Sequence, residues 1–102
     1  MKFLVIGKRN LVPMEPKMAV GLIQAAKEYQ KAQLAAGVLD VSYMFADGSG
    51  GFVISNADSQ EDALDRLMDF PMFVFLDWEV KPLVDSSHTY DKLSELFQKM
   101  SG

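Results

Sequence analysis

"DALDRLMDFPMFVFLDWEVKPL", residues 62–83, decides the predicted fold of this chain. Its first part places apolar residues at helical spacing, and Pro71 ends that helix because proline lacks the amide hydrogen that a continuing helix needs. Its second part, residues 70–83, is apolar and aromatic and ends in an alternation with the period of a β-strand. The stretch therefore predicts a helix that leads directly into a strand.

The remaining sequence predicts the other elements from local signals. Pro16 suits the first turn of a helix, and Gly37 supplies a stop for it. Asp47-Gly48 between two β-rich runs is a strong hairpin signal. The predicted strands are residues 2–7, 38–46, 51–57 and 70–83, and the predicted helices are residues 16–37, residues 58–70 and a last helix from about Thr89.

The order β-α-β-β-α-β with a helical tail is that of the ferredoxin-like fold, an α+β fold, in one domain over residues 1–102. Its usual strand order is 4-1-3-2, with both main helices on one face of the sheet. The other face also has an apolar pattern, because Phe3 and Val5 alternate with Leu4 and Ile6. A sheet that is apolar on both faces must bury both, so we expect a second copy of the chain to cover the free face in a homodimer.

Composition excludes several classes of function. The net charge is −4, and arginine occurs only at positions 9 and 66, so no basic stripe is available for nucleic acid. Cysteine is absent, which excludes disulfides and thiolate metal sites. No apolar run is long enough for a membrane span or a signal peptide. We expect a cytoplasmic protein with no membrane partner.

Two carboxylates, Asp77 and Glu79, interrupt the most apolar stretch and share one face of its strand. A carboxylate in an apolar pocket acquires a raised pKa and can act as a base beside a carbonyl group. Phe75 could cover the pair, whereas Trp78 points to the other face. The alternative is that edge-strand charges, continued by Lys81, simply prevent pairing with another sheet.

The only histidine, the glycine-rich segment and the scattered acids each have a structural explanation as well as a possible functional one. His88, the only histidine, could be a general base or a solvated residue before the last helix. The segment "DGSGG" is a hairpin turn and lacks the Gly-Lys-Ser/Thr of a phosphate loop. One histidine and scattered acids give no metal-ligand spacing, so no metal is expected.

Between about residues 13 and 83 the sequence resembles the muconolactone isomerase family of the dimeric α+β barrel superfamily. The resemblance implies the ferredoxin-like fold and a pocket between sheet and helices, where family members interconvert unsaturated lactones by moving a proton. It also implies higher oligomers built from dimers. The matching features are Met14-Glu15-Pro16 (Met-Asp-Pro in the family), Gly37 before the second strand, Leu67-Met68, Pro71, Phe73 and Asp77-x-Glu79-Val80.

The sequence also departs from that family. The family's second strand carries arginines and tryptophans suited to a carboxylated lactone, whereas residues 39–44 here contain no cation. The family's His-Tyr pair at the next hairpin is replaced by residues 48–51, Gly-Ser-Gly-Gly, and the helix beyond Ser87 has no counterpart. The resemblance therefore predicts the fold more strongly than the substrate.

These patterns lead to one principal hypothesis and two alternatives. The principal hypothesis is a muconolactone isomerase-like protein that isomerises a small carbonyl or lactone compound without a cofactor. Its catalytic residues would be Asp77 and Glu79, and Tyr43, Ser55 and Phe75 would line the pocket. The alternatives are a non-catalytic module that binds a small apolar molecule and a cofactor-free monooxygenase. Buried carboxylates facing a closed pocket would favour the enzyme, and exposed ones would favour the module.

Overall fold

A computed structural model describes all residues from 1 to 102. The elements are β1 (Lys2–Arg9), α1 (Pro16–Ala35), β2 (Leu39–Met44), β3 (Gly50–Asn56), α2 (Gln60–Met68), a short 3₁₀ turn (Phe73–Phe75), β4 (Leu76–Leu83) and α3 (Ser86–Ser101). No helix combines the length and the apolar character that crossing a bilayer requires.

The four strands form one antiparallel sheet in the order β2-β3-β1-β4. This is the order predicted for the ferredoxin-like fold, so the predicted fold class is confirmed. Val5 of β1 lies opposite Val53 on β3 and Val80 on β4, which fixes the register across the centre of the sheet. The hairpin between β2 and β3 turns at Gly48, whose φ of 75° suits glycine.

The helix ends follow from local chemistry. Pro16 begins α1 as predicted, and Gly37 follows its last turn with a φ of 75°. The Ser59 hydroxyl accepts a hydrogen bond of 3.1 Å from the amide of Asp62 and so caps α2. The α3 helix begins at Ser86 rather than near Thr89, because the Asp85 side chain accepts a 3.0 Å hydrogen bond from the amide of Ser87.

The predicted strand 70–83 is shorter in the structure. Residues 70–75 form a turn and the 3₁₀ segment, and the strand begins only at Leu76. The indole nitrogen of Trp78 donates a 2.9 Å hydrogen bond to the carbonyl of Phe73, which holds this turn against the start of β4. An apolar run without charges did not distinguish a strand from a partly buried turn.

Cross-strand neighbours share a face of a sheet, so the register defines two faces. The helix-covered face carries Phe3 and Val5, which pack with Ala57 and Ala63 in the core beneath α1 and α2. The open face is the opposite one, and no element of the chain covers it. Its apolar residues are Leu4, Ile6, Val41, Tyr43, Phe52 and Ile54.

The last helix, α3, extends away from the rest of the molecule. Every residue of α3 is exposed, including the apolar series Tyr90, Leu93, Leu96, Phe97 and Met100. The molecule measures 66 × 28 × 24 Å with a radius of gyration of 17.6 Å. A compact domain of this length has a radius of gyration of about 13 Å. The chain by itself therefore provides no surface for the apolar side of α3.

Candidate ligand cavity between the sheet and the helices

A cavity of about 540 Å³ lies between the helix-covered face of the sheet and helices α1 and α2; we call it the sheet–helix cavity. Its wall is mostly apolar, and it opens to solvent beside Met44 and Ile23, which are largely exposed. A volume of this size is within the range of natural sites for small organic molecules.

Trp78 forms one wall of the cavity and is held there from several sides. It lies opposite Gly7 in the register, and a Cβ atom on Gly7 would be 2.8 Å from its Cζ3 atom. Its ring stacks on Phe73, with centroids 6.2 Å apart, and meets Phe70 edge-on at 5.8 Å. The indole nitrogen of Trp78 also donates a hydrogen bond to the Phe73 carbonyl, so this wall is pre-organised before any ligand enters.

Ser55 places a polar atom in the cavity wall. Its residue is only 5% exposed, and its hydroxyl makes no hydrogen bond within the chain. Since no buried polar atom is shut off without a partner, this hydroxyl is accessible from the cavity. The hydroxyl is therefore free to form a hydrogen bond with water or with a ligand oxygen in the cavity.

Two further polar groups of the wall already have partners. The Ser42 hydroxyl donates a 2.7 Å hydrogen bond to the Oε1 atom of Gln30 on α1, which ties β2 to the helix layer. The Tyr29 hydroxyl donates to the carbonyl of Arg66 at 2.9 Å. Burial, followed by the nearby Asp69 charge, raises the pKa of Tyr29, so its phenol stays protonated at neutral pH.

Arg9 is a cavity residue that the sequence analysis missed. It lies opposite Leu76 in the register and therefore on the same face as Val5 and Gly7. Its guanidinium group forms no ion pair, whereas Arg66, the other arginine of the wall, pairs with Asp62 at 3.2 Å. The alternation from Phe3 along β1 would have revealed this position, but Arg9 lies beyond the predicted strand end at residue 7.

The structure places Asp77 and Glu79 away from the cavity. Both are exposed on the open face, and Glu79 pairs with Lys81 at 3.1 Å. Asp77 accepts a 3.5 Å hydrogen bond from the Asn10 amide. The two carboxylates share a face as predicted, but the sheet separates that face from the helices.

Only some of the other predicted site residues line the cavity. Ser55 lines the cavity, whereas Phe75 lies in the 3₁₀ turn outside its wall. Tyr43 is among the residues that line the cavity, and its ring lies 5.9 Å from that of Phe52, its neighbour on the open face. His88 lies in the exposed first turn of α3.

Comparison with known proteins places the chain in a family. The sequence pattern of the family described as "Domain of unknown function (DUF3303)" matches residues 1–97. The chain belongs to this family. A search of curated proteins found no sequence that matches this chain.

Solved structures give more detail about the fold. Muconolactone isomerase is 27% identical, with a TM-score of 0.74 over 83% of this chain and 90% of that one. A 5-chloro-2-hydroxyhydroquinone dehydrochlorinase, TftG from Burkholderia phenoliruptrix AC1100, has a TM-score of 0.67 at 18% identity over 86% of this chain and 98% of its own, and was solved with 2,5-dihydroxybenzoquinone. The predicted resemblance to the muconolactone isomerase family is confirmed.

Proposed function

We propose that this protein binds a small, mostly apolar organic molecule that carries an anionic or hydrogen-bonding oxygen, in the sheet–helix cavity. The observation that carries the proposal is the hydroxyl of Ser55, a nearly buried residue that lines the mostly apolar cavity and takes no part in the side-chain hydrogen bonds of the chain. A ligand oxygen in the cavity could form a hydrogen bond with this hydroxyl in place of water.

The positive charge of Arg9 would favour a negatively charged ligand in the cavity. Arg9 is an exposed residue of the same cavity that forms no ion pair, although its charge also helps to lower the pKa of Asp47. Arginine presents paired donors that match the two oxygens of a carboxylate, and such bonds are about twice as strong as uncharged ones. The proposed ligand class is therefore a small, mostly apolar compound with a carboxylate or an acidic hydroxyl.

Binding of benzoate and of its uncharged analogue benzamide, followed by NMR shifts of cavity residues, tests the proposal. Arg9→Gln should weaken benzoate binding about tenfold and change benzamide binding little, because only benzoate engages a charge. Lys8→Gln is the matched control, since the neighbouring Lys8 lies on the open face. Ser55→Ala should weaken both probes. Absence of shifts at cavity residues with either probe, at millimolar concentration, would overturn the proposal.

A second candidate function is cofactor-free proton transfer on a carbonyl or lactone compound. It is favoured by the 27% identity to muconolactone isomerase over 83% of this chain. Tyrosines, lysine and arginines are the only ionisable residues of the cavity wall, so Asp77 and Glu79 remain the proposed bases only for a ligand held at the open face.

Deuterium uptake by a small lactone in D₂O separates the two candidates. Uptake that is catalysed by the wild type and lost in Asp77→Asn or Glu79→Gln would support proton transfer by the carboxylates. Benzoate binding in the cavity without any catalysed uptake would support the binding function alone.

A further inference from the structure

The sheet–helix cavity is elongated along β1 and β3. Arg9 lines one end of it, and Ser55 lines the other. In the register Ser55 lies opposite Phe3, and Arg9 lies six residues further along the same strand. At the usual rise of a β-strand, about 20 Å separates the backbones of Arg9 and Ser55. The two polar groups of the proposed function therefore lie at opposite ends of the cavity.

The wall between the two ends is mostly apolar. Val5 and Val53 lie opposite each other on β1 and β3 near its middle. Trp78 lies against Gly7, two residues further along β1, and Leu67 contributes an apolar side chain from α2. A carbon chain in this part of the cavity would bury its apolar surface along its whole length.

Lys27 on α1 lies in the half of the cavity that is nearer to Arg9. The Ser42 hydroxyl bonds to Gln30, and Ser42 lies opposite Val53 near the middle of the cavity. Because α1 follows the Arg9 end of β1 in the chain, α1 residues before Gln30 lie toward that end. Lys27, three residues before Gln30, lines the cavity and forms no ion pair.

The charges of the wall favour an anion at the Arg9 end. Arg66 is paired with Asp62, and no aspartate or glutamate lines the cavity. Asp47 in the adjoining hairpin is an opposing charge, but its pKa is lowered mainly by hydrogen bonds from Ser49 and only last by the charge of Arg9. Two cations of the wall against this one carboxylate leave this end positive.

The mouth of the cavity lies in the same half. Met44, beside which the cavity opens, lies opposite Gly51 and is therefore level with Gly7. Ser55, at the far end, is only 5% exposed. A ligand that enters at this mouth can keep a charged group near water, where its desolvation costs least, and place its apolar part inside.

We propose that the ligand of this cavity is a linear aliphatic carboxylate with a second oxygen at the far end of its chain. Its carboxylate binds at Arg9 and Lys27, its chain lies along β1 and β3, and its far oxygen bonds to the Ser55 hydroxyl. A small ring contacts the two ends only in turn, whereas an extended chain contacts both at once. The inference rests on the proposed function and adds the shape and the orientation of the ligand.

Two isomeric acids test the shape. Decanoate and 2-butylhexanoate have the same formula and charge, but only decanoate is linear. In NMR titrations decanoate should bind about tenfold more tightly, because only the linear chain extends from one end of the cavity to the other. Equal affinities, or tighter binding of 2-butylhexanoate, would overturn the inference and leave the proposed function intact. Absence of shifts at cavity residues with these acids and with benzoate would overturn both.

A terminal hydroxyl tests the orientation. Ser55→Ala should weaken binding of 10-hydroxydecanoate about fivefold and change that of decanoate little, because only the hydroxy acid places an oxygen at Ser55. Arg9→Gln should weaken both acids to the same extent, since both carry the carboxylate. Lys8→Gln, on the open face, is the control and should change neither affinity. An equal effect of Ser55→Ala on the two acids would overturn the orientation.

Discussion

Trp78 lies across Gly7 on the helix-covered face, so closely that a methyl group on Gly7 would be 2.8 Å from the indole Cζ3 atom. The glycine is therefore required by packing, since it allows the largest side chain of the cavity wall to lie against the backbone of β1. This pair couples the core of the sheet to the shape of the cavity.

Gly7→Ala should displace the indole and destabilise the fold by about 1–3 kcal/mol, the usual cost of overpacking. Urea unfolding followed by fluorescence reports on both effects, because Trp78 is the only tryptophan. Gly21→Ala is the matched control: nothing lies within 4 Å of its added methyl group, and alanine favours the helix. An equal effect of the two substitutions would contradict the packing argument.

Ser59→Ala should lower stability by about 1 kcal/mol, because it removes the acceptor for the amide of Asp62 at the start of α2. Ser59→Asp should retain most of the stability, since aspartate also caps helices. The measurement is the free energy of unfolding of both variants under the same conditions. Equal losses in both would show that the cap contributes little.

Acid should destabilise the fold partly through Asp62. Its pKa is lowered from 3.8, mainly because the Asp58 amide donates to it, and also because Arg66 pairs with it. A carboxyl with a lower pKa in the folded chain stabilises the fold above the unfolded pKa and loses that contribution as the pH falls through the folded pKa.

The melting temperature of the wild type should therefore fall as the pH drops below about 4. Asp62→Asn should melt lower at neutral pH but fall less steeply on acidification. Asp65→Asn is the control on the same helix, since Asp65 forms no ion pair. Thermal melts across this range check the prediction, and identical slopes for wild type and Asp62→Asn would refute it.

Truncation after Ser87 should lower the melting temperature or weaken the homodimer that the sequence predicts, because it removes the apolar side of α3. Light scattering and thermal melts of the truncated chain provide the measurement. If both the mass and the melting temperature stay unchanged, α3 contributes nothing to the folded assembly.

Asp77→Asn and Glu79→Gln should leave benzoate affinity within about twofold of the wild type, because the sheet lies between these side chains and the cavity. NMR titration of both variants gives the affinities directly. A tenfold loss in either variant would mean that the ligand reaches the open face.

Local sequence patterns determined the elements and their order. Pro16 and Gly37 mark the two ends of α1, the Asp47-Gly48 turn joins β2 to β3, and alternation places Asp77 and Glu79 on one side of β4. Each of these features depends on residues close together in the chain, so a local pattern is sufficient to predict it. The strand order then followed from the topology that this element order favours.

Only the tertiary structure decided which side of β4 faces the helices. Alternation along β4 places Trp78 on one face of the sheet and its acidic neighbours on the other. Because both faces are apolar, the sequence pattern does not show which of them faces the cavity. The register with Gly7 made that assignment, because only glycine leaves room for the indole on the helix-covered face. The same register brought Arg9 and Ser55, 46 positions apart in the sequence, to one cavity wall. Contacts between distant strands, which no local pattern encodes, therefore determined the candidate site.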